Sequence, residues 1–211
     1  MAGFEGPPGE ALSSFSGPNP RRVRIFAAEK GIKLALEEID ILTGQSRMPE
    51  FLAKNSSGAV PVLELDDGSY LSESVAICRY LEGLQPEPNL LGRDLREQAE
   101  VERWNRRMEL ELFAPIGRTF QNTNPIFQTR IKQFPEYGEA QRAIVYQRLE
   151  RMDHELDGQE FIASDRFTIA DITALVAIDF GLRLADVRIA PSLTHLTRWH
   201  ETVSKRASAK A

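Results

Sequence analysis

The chain has 211 residues, 42% of them apolar and 27% charged, and its 31 acids against 26 bases give a formal charge of −5. That length suits two small domains, and the acidic balance excludes a general nucleic-acid binder, which would show a basic face. The most apolar stretch, residues 169–180, is broken by Asp171 and Asp179 and is too short to span a bilayer.

Residues 1–20 carry Gly, Pro and Ser where a secretory signal has an apolar segment, so a cytoplasmic protein is expected. The single cysteine, Cys78, cannot form an internal disulfide, and it reads as a small buried hydrophobe. His154, His195 and His200 stand at spacings unlike a metal site, which predicts no metal.

The first half alternates strand-like and helix-like segments. Residues 20–30 predict a helix with Pro20 in its first turn and Gly31 at its C-terminal cap. Residues 34–41 predict a strand, and residues 49–54 a short helix. Val60 to Leu65 and Ser69 to Leu71 flank Asp66-Asp67-Gly68, which predicts a hairpin. Residues 72–84 are again helical. A first strand would precede the first helix, although Leu12 to Ser16 has poor strand composition. The sum is a small α/β layer with a mixed sheet.

Gln85 to Asn89 (QPEPN) reads as a linker, because each Pro disfavours helix at the residue before it. Beyond it the chain is helical. Residues 95–113 form a long amphipathic helix with Ala99, Met108 and Leu112 on its buried face. Residues 139–156 place Ala140, Ile144, Arg148, Met152 and Leu156 at four-residue steps. Residues 168–180 are apolar nearly all round, and residues 191–203 form a last amphipathic helix.

Three features of the first half bear on chemistry. Ser72-Glu73-Ser74 opens a helix, where free N–H groups and a partial positive charge suit a carboxylate. Ser74 adds a hydroxyl donor and Glu73 an anion for an ammonium group, so the pair complements an amino-acid zwitterion; a plain helix cap is the other reading. Val60-Pro61 starts a strand beside this loop. Such a place often holds a cis bond, which would turn the Val60 backbone outward to pair with a ligand's peptide group; a trans bond, as in most X-Pro pairs, is the other reading. The turn Gly17-Pro18-Asn19-Pro20 feeds a helix N-terminus able to stabilise a thiolate through N–H groups near Asn19 and Arg21. It holds no cysteine, so the thiolate must arrive on the ligand. Zwitterion, peptide backbone and thiolate in that order describe glutathione.

The residues SGAVPVLELDDGSYLSESVAICRYLE resemble the glutathione-binding half of the cytosolic glutathione transferases, FTIADITAL resembles their helical-domain capping motif, and PSLTHLTRWHETVSKRAS their last helix. The resemblance implies an α/β thioredoxin-like N-terminal domain plus an all-α C-terminal helical domain. The boundaries are 1–84 for the glutathione-binding domain, 85–92 for a linker, and 93–211 for the helical domain with the second-substrate site. It also implies that Glu73 and Ser74 hold the γ-glutamyl end, that Val60 and Pro61 present the cysteinyl backbone contact, and that Thr168 and Asp171 form a capping box. A homodimer is implied as well.

GPNPRRVRIFAAEKG and WNRRMELELFAPIGRTFQNTNP are similar to an atypical yeast and bacterial branch that lacks the usual tyrosine, serine or cysteine after the first strand. That branch places histidines near the glutathione sulfur, where this chain has Asn122 and Asn124. Asparagine can hold a water or donate to a thiolate, but it is no base near pH 7. The expected site is therefore Asn19, Val60, Pro61, Glu73 and Ser74 for glutathione, with Asn122 and Asn124 positioning a water or the thiolate. Ser14 and Ser16 are neighbouring hydroxyls of lesser promise. Met108 and Phe113 are candidates for an apolar second-substrate pocket.

The activity implied is conjugation of the glutathione thiolate to an apolar electrophile in detoxification, or attack on a hydroperoxide. A glutathione-dependent isomerase or dehalogenase shares the same site. A non-catalytic glutathione-binding or interaction module is the alternative, and the missing hydroxyl and histidines are what favour it.

Overall fold

The computed structural model describes residues 10–13 and 17–211. Ser14 and Ser16 lie outside the described residues. The chain divides into two units, one running to Leu90 and including Ala207–Ala211, the other comprising Leu91–Arg206.

The first unit is built on a four-stranded sheet of order β2-β1-β3-β4. β1 (Glu10–Ser13) lies inside it, parallel to β2 (Ala35–Glu38) and antiparallel to β3 (Val62–Glu64), with Leu12 opposite Val62. This strand ends at Ser13, several residues before Pro18, and its Ala and Ser are weak strand formers. Pairing on both sides supplies what local propensity lacks. β4 (Tyr70–Ser72) closes the hairpin, whose turn is tied by Asp67: its carboxylate accepts from the Ser69 N–H at 2.9 Å and from the Ser69 hydroxyl at 2.6 Å.

α1 (Pro18–Glu29) crosses from β1 to β2 and packs on α3 (Ser74–Leu84); Val23, Ile25 and Phe26 of the first helix and Ile77, Cys78 and Leu81 of the second are buried. Its end is a Schellman motif. Gly31, at φ +68°, lets the Gly31 N–H reach the Ala28 carbonyl at 3.1 Å and the Ile32 N–H the Ala27 carbonyl at 2.9 Å. The short α2 (Pro49–Lys54) falls where the sequence predicts it and buries Phe51 against Ile39 and Val62. The C-terminal 3₁₀ turn Ala207–Lys210 joins this unit through Arg21 Nη2, which donates to the Ala209 carbonyl at 2.9 Å. Lys30 is buried among Glu82 and the carbonyls of Pro86 and Pro88, so it fastens the residues that follow α3.

The second unit is helical. α4 (Leu95–Arg107), capped by Asp94, continues through a π-helical turn, Met108–Phe113, into α5 (Ala114–Thr123). A single regular helix over 95–113 was expected. Pro115 explains the difference: it has no N–H for the carbonyl four residues back and its ring crowds that position, so the turn before it widens. Met108 and Leu112 are buried as expected, whereas Ala99 is exposed and Val101 and Asn105 take the inner face.

α6 (Pro135–Glu155) starts earlier than the expected residue 139; Arg148, Met152 and Leu156 are buried as expected, but the first half of the helix turns other residues inward. Gly138, Gln141, Val145, Arg148 and Met152 face inward, while Ala140 and Ile144 are exposed. Two contacts fix this register. A Cβ on Gly138 would come within 2.6 Å of the Thr123 Cγ2 atom, so only glycine fits there. Arg148, wholly buried, ion-pairs with Glu155 at 2.8 Å and Glu111 at 3.2 Å.

α7 (Ile169–Leu184) is buried on nearly every side along Ile169–Ile178, as its uniform apolarity predicts, and α8 (Thr194–Ser204) packs against it and α6 through Leu196, Trp199 and Val203. The expected capping box is present: the Thr168 hydroxyl accepts from the Ala170 N–H at 3.3 Å, and Asp171 accepts from the Thr168 N–H at 3.0 Å.

Candidate glutathione site

The N-terminus of α3 leaves backbone donors open. Ser74, Val75 and Ala76 are its first three residues, and their N–H groups precede the first intrahelical bond, Ile77 N–H to the Glu73 carbonyl at 2.9 Å. Among the described residues, no side chain caps this end. Glu73 enters it at φ 69° and ψ 113°, a positive φ outside the regions that a residue with a Cβ prefers. Such a conformation costs about 1–3 kcal/mol and persists only where surrounding structure holds it, a pattern that clusters at ligand sites. The result is an exposed Glu73 carboxylate beside a Ser74 that is 5% exposed.

Beneath Ser74 lies a residue the sequence reading gave no role. Arg22 Nη1 donates to the Ser74 hydroxyl oxygen at 2.8 Å, and Arg22 itself is 1% exposed. Its signal in the sequence was an arginine four residues before Phe26, on the apolar face of α1.

Val60–Pro61 is a cis peptide, as expected. Val60 lies two residues before the first pair of the β3 ladder and packs its side chain against Ile39, Phe51 and Val62, so its backbone is outside the sheet pairing. Asn19 is exposed in the first turn of α1. The donor inventory of that turn is smaller than the sequence suggests. Pro18 and Pro20 have no N–H, and the Arg21 N–H is spent on the Gly17 carbonyl at 3.1 Å. Asn19 alone keeps a backbone donor there, so Arg21 drops out as a thiolate donor.

In the second unit the expected residues have local partners. Asn122 donates to the Arg118 carbonyl at 2.9 Å and accepts from the Phe134 N–H at 3.0 Å. Asn124 accepts from the Ile126 N–H at 3.1 Å and donates to the Leu184 carbonyl at 3.4 Å. Met108 is fully buried and lines, with Trp104, Met152, Glu155, Leu156 and Ile162, a cavity of about 10 Å³, room for about one water. Phe113 is half-buried in an aromatic group, its ring 6.5 Å from Phe180, which in turn stacks edge-on with Phe120 at 5.0 Å.

Among the described residues, no group of three or more His, Cys, Asp or Glu side chains could hold a metal ion, and no helix is long and apolar enough to cross a membrane.

A thioredoxin-like unit with this helix N-terminus and cis-Pro, followed by a helical unit with this capping box, defines a glutathione S-transferase architecture. Two family models agree: the glutathione S-transferase N-terminal domain matches residues 16–84, and the C-terminal domain matches residues 112–207. The chain belongs to the glutathione S-transferase family. Glutathione S-transferase 2 of Saccharomyces cerevisiae is 34% identical over 199 residues, spanning 92% of this chain and 85% of that protein. Among solved structures, Gtt2 from Saccharomyces cerevisiae aligns with a TM-score of 0.89 at 33% identity, over 95% of this chain and 98% of that one. A glutathione S-transferase domain-containing protein from Marinobacter aquaeolei VT8 aligns with a TM-score of 0.87 at 36% identity, over 94% of this chain and 98% of that one. These yeast and bacterial relatives fit the branch that the first helix resembles.

Proposed function

We propose that this chain is a glutathione transferase that joins the glutathione thiolate to electrophilic, mostly apolar small molecules, with hydroperoxides as alternative acceptors. The observation that carries the reading is the uncapped α3 N-terminus, with Glu73 held at positive φ and Ser74 buried beside it, in a chain whose two halves match the family's two domains. The γ-glutamyl carboxylate would take the α3 N–H groups and the Ser74 hydroxyl, its ammonium group would face Glu73, and the Val60 backbone would pair with the cysteinyl residue. The relatives' names favour a transferase over a module that only binds glutathione.

For the sulfur, the Asn19 N–H is the backbone donor of choice on α1. Asn122 and Asn124 each retain, beyond the bonds above, one amide hydrogen and one carbonyl lone pair for a water. Thiolate population and proximity then supply the rate, with no side-chain base. Phe113 would offer an aromatic surface to the electrophile, with Met108 in the core one π-turn before it. A detoxifying role in the cytoplasm and a homodimer belong to the same reading.

The test is a conjugation assay with glutathione against aryl halides, epoxides and hydroperoxides. Turnover on any of them supports a transferase. Tight glutathione binding with no turnover across the panel would select the binding module instead.

A further inference from the structure

The bond between Arg22 and Ser74 fixes what the serine can offer a ligand. A guanidinium has donors and no acceptor, so at 2.8 Å from Arg22 Nη1 the Ser74 oxygen can only accept. The one hydroxyl hydrogen is thereby turned away from Arg22. The same guanidinium brings a positive charge behind the first two turns of α3: it pulls down the thiol of Cys78, one turn beyond Ser74, although burial outweighs it there. Arg22 is 1% exposed, so this charge is far less screened by solvent than one on the surface. The N–H groups of Ser74, Val75 and Ala76 point out of the same end, with no side-chain cap. Donor hydroxyl, open N–H groups and buried cation thus converge on one place.

We infer that Arg22 is a positioning residue of the glutathione site, orienting the Ser74 hydroxyl and charging the α3 N-terminus for the α-carboxylate of the γ-glutamyl group. This rests on the reading that Glu73 and Ser74 hold that end of glutathione. Arg22 touches neither substrate, so it acts on glutathione affinity and leaves the second substrate alone. Lysine at this position keeps the charge, but its ammonium is a point donor on a flexible stem and lacks the planar fork that reaches Ser74.

The experiment is calorimetric titration of the full chain and its Arg22→Lys, Ser74→Ala and doubly substituted variants. Two ligands are used: glutathione, and 4-aminobutyryl-cysteinyl-glycine, which lacks the α-carboxylate. Wild type should prefer glutathione. Arg22→Lys should weaken glutathione about tenfold, the loss of one charge-assisted interaction, and barely change binding of the analogue. In the Ser74→Ala background it should cost much less than it does alone. In turnover, KM for glutathione should rise while kcat and KM for the electrophile hold. Arg22→Gln carries the same comparison should the lysine variant not fold. Equal losses for both ligands, or additive losses in the double variant, would overturn the positioning role. Wild type binding both ligands equally would instead remove the γ-glutamyl assignment of Glu73 and Ser74.

Discussion

Trp199 Nε1 donates to Asp171 Oδ1 at 2.9 Å, tying α8 to the cap of α7. The same carboxylate accepts from the Ile162 N–H at 2.9 Å, the Thr168 N–H at 3.0 Å and the Thr168 hydroxyl at 3.2 Å. One wholly buried group therefore satisfies donors from the 161–168 loop, the start of α7 and α8. Asp171→Ala leaves several of them without an acceptor, each costing about 1–3 kcal/mol. A loss of about 3 kcal/mol or more is expected in urea unfolding, with little change in slope.

The same residue gives a pH signature. Burial pushes the Asp171 carboxyl from 3.8 up to about 6, against the pull of the Trp199, Ile162 and Thr168 donors. A carboxyl raised in the folded state holds its proton there between those two values. Its contribution to stability is complete below about pH 4 and is lost as pH rises through about 6. The stability difference between wild type and Asp171→Asn should shrink across that window. A difference that grows with pH would show the donors winning over burial.

Arg148 and its partners make an asymmetric prediction. Arg148 is wholly buried, whereas Glu111 and Glu155 are partly exposed and keep Arg107 as a second partner. Glu155→Ala takes the closer of Arg148's two carboxylates and leaves Glu111 at 3.2 Å, so it should destabilise, by less than the ~3–5 kcal/mol of a buried charge stripped of every partner. Arg148→Met removes the buried charge itself and should lie much nearer neutral. Denaturation midpoints of the two variants decide the order.

The outlines of both units were legible in the sequence where local and tertiary signals agree. The Asp67 hairpin, the Gly31 cap and the Thr168–Asp171 box each follow from a few neighbouring residues. β1 was not legible, because Ala11 and Ser13 become strand through pairing with β2 and β3. The inward face of α6 was read correctly at Arg148 and Met152 and wrongly at Ala140 and Ile144, because Gly138 sets the start of the helix by its contact with α5, which apolar spacing does not encode. At the candidate site, the Glu73–Ser74 and Val60–Pro61 pairs stood out as motifs. Arg22 did not, since its meaning depends on Ser74, 52 residues away.

Cys78 should be inert in the folded protein. It is 0% exposed, and burial pushes its thiol up to about 12, so almost no thiolate exists at pH 8. An aromatic disulfide reagent should leave it unlabelled until denaturant is added, then titrate one thiol per chain. Rapid labelling of the native chain would mean that α3 opens locally.

The central claim is that glutathione is held by its γ-glutamyl end at Glu73 and Ser74, and calorimetric titration of wild type, Glu73→Gln and Ser74→Ala with glutathione tests it most directly. Each variant removes a partner of a charged ligand group, so each should weaken binding by about 1–3 kcal/mol while the fold, checked by thermal unfolding, is retained. Affinity unchanged in both folded variants would contradict the account and place glutathione elsewhere.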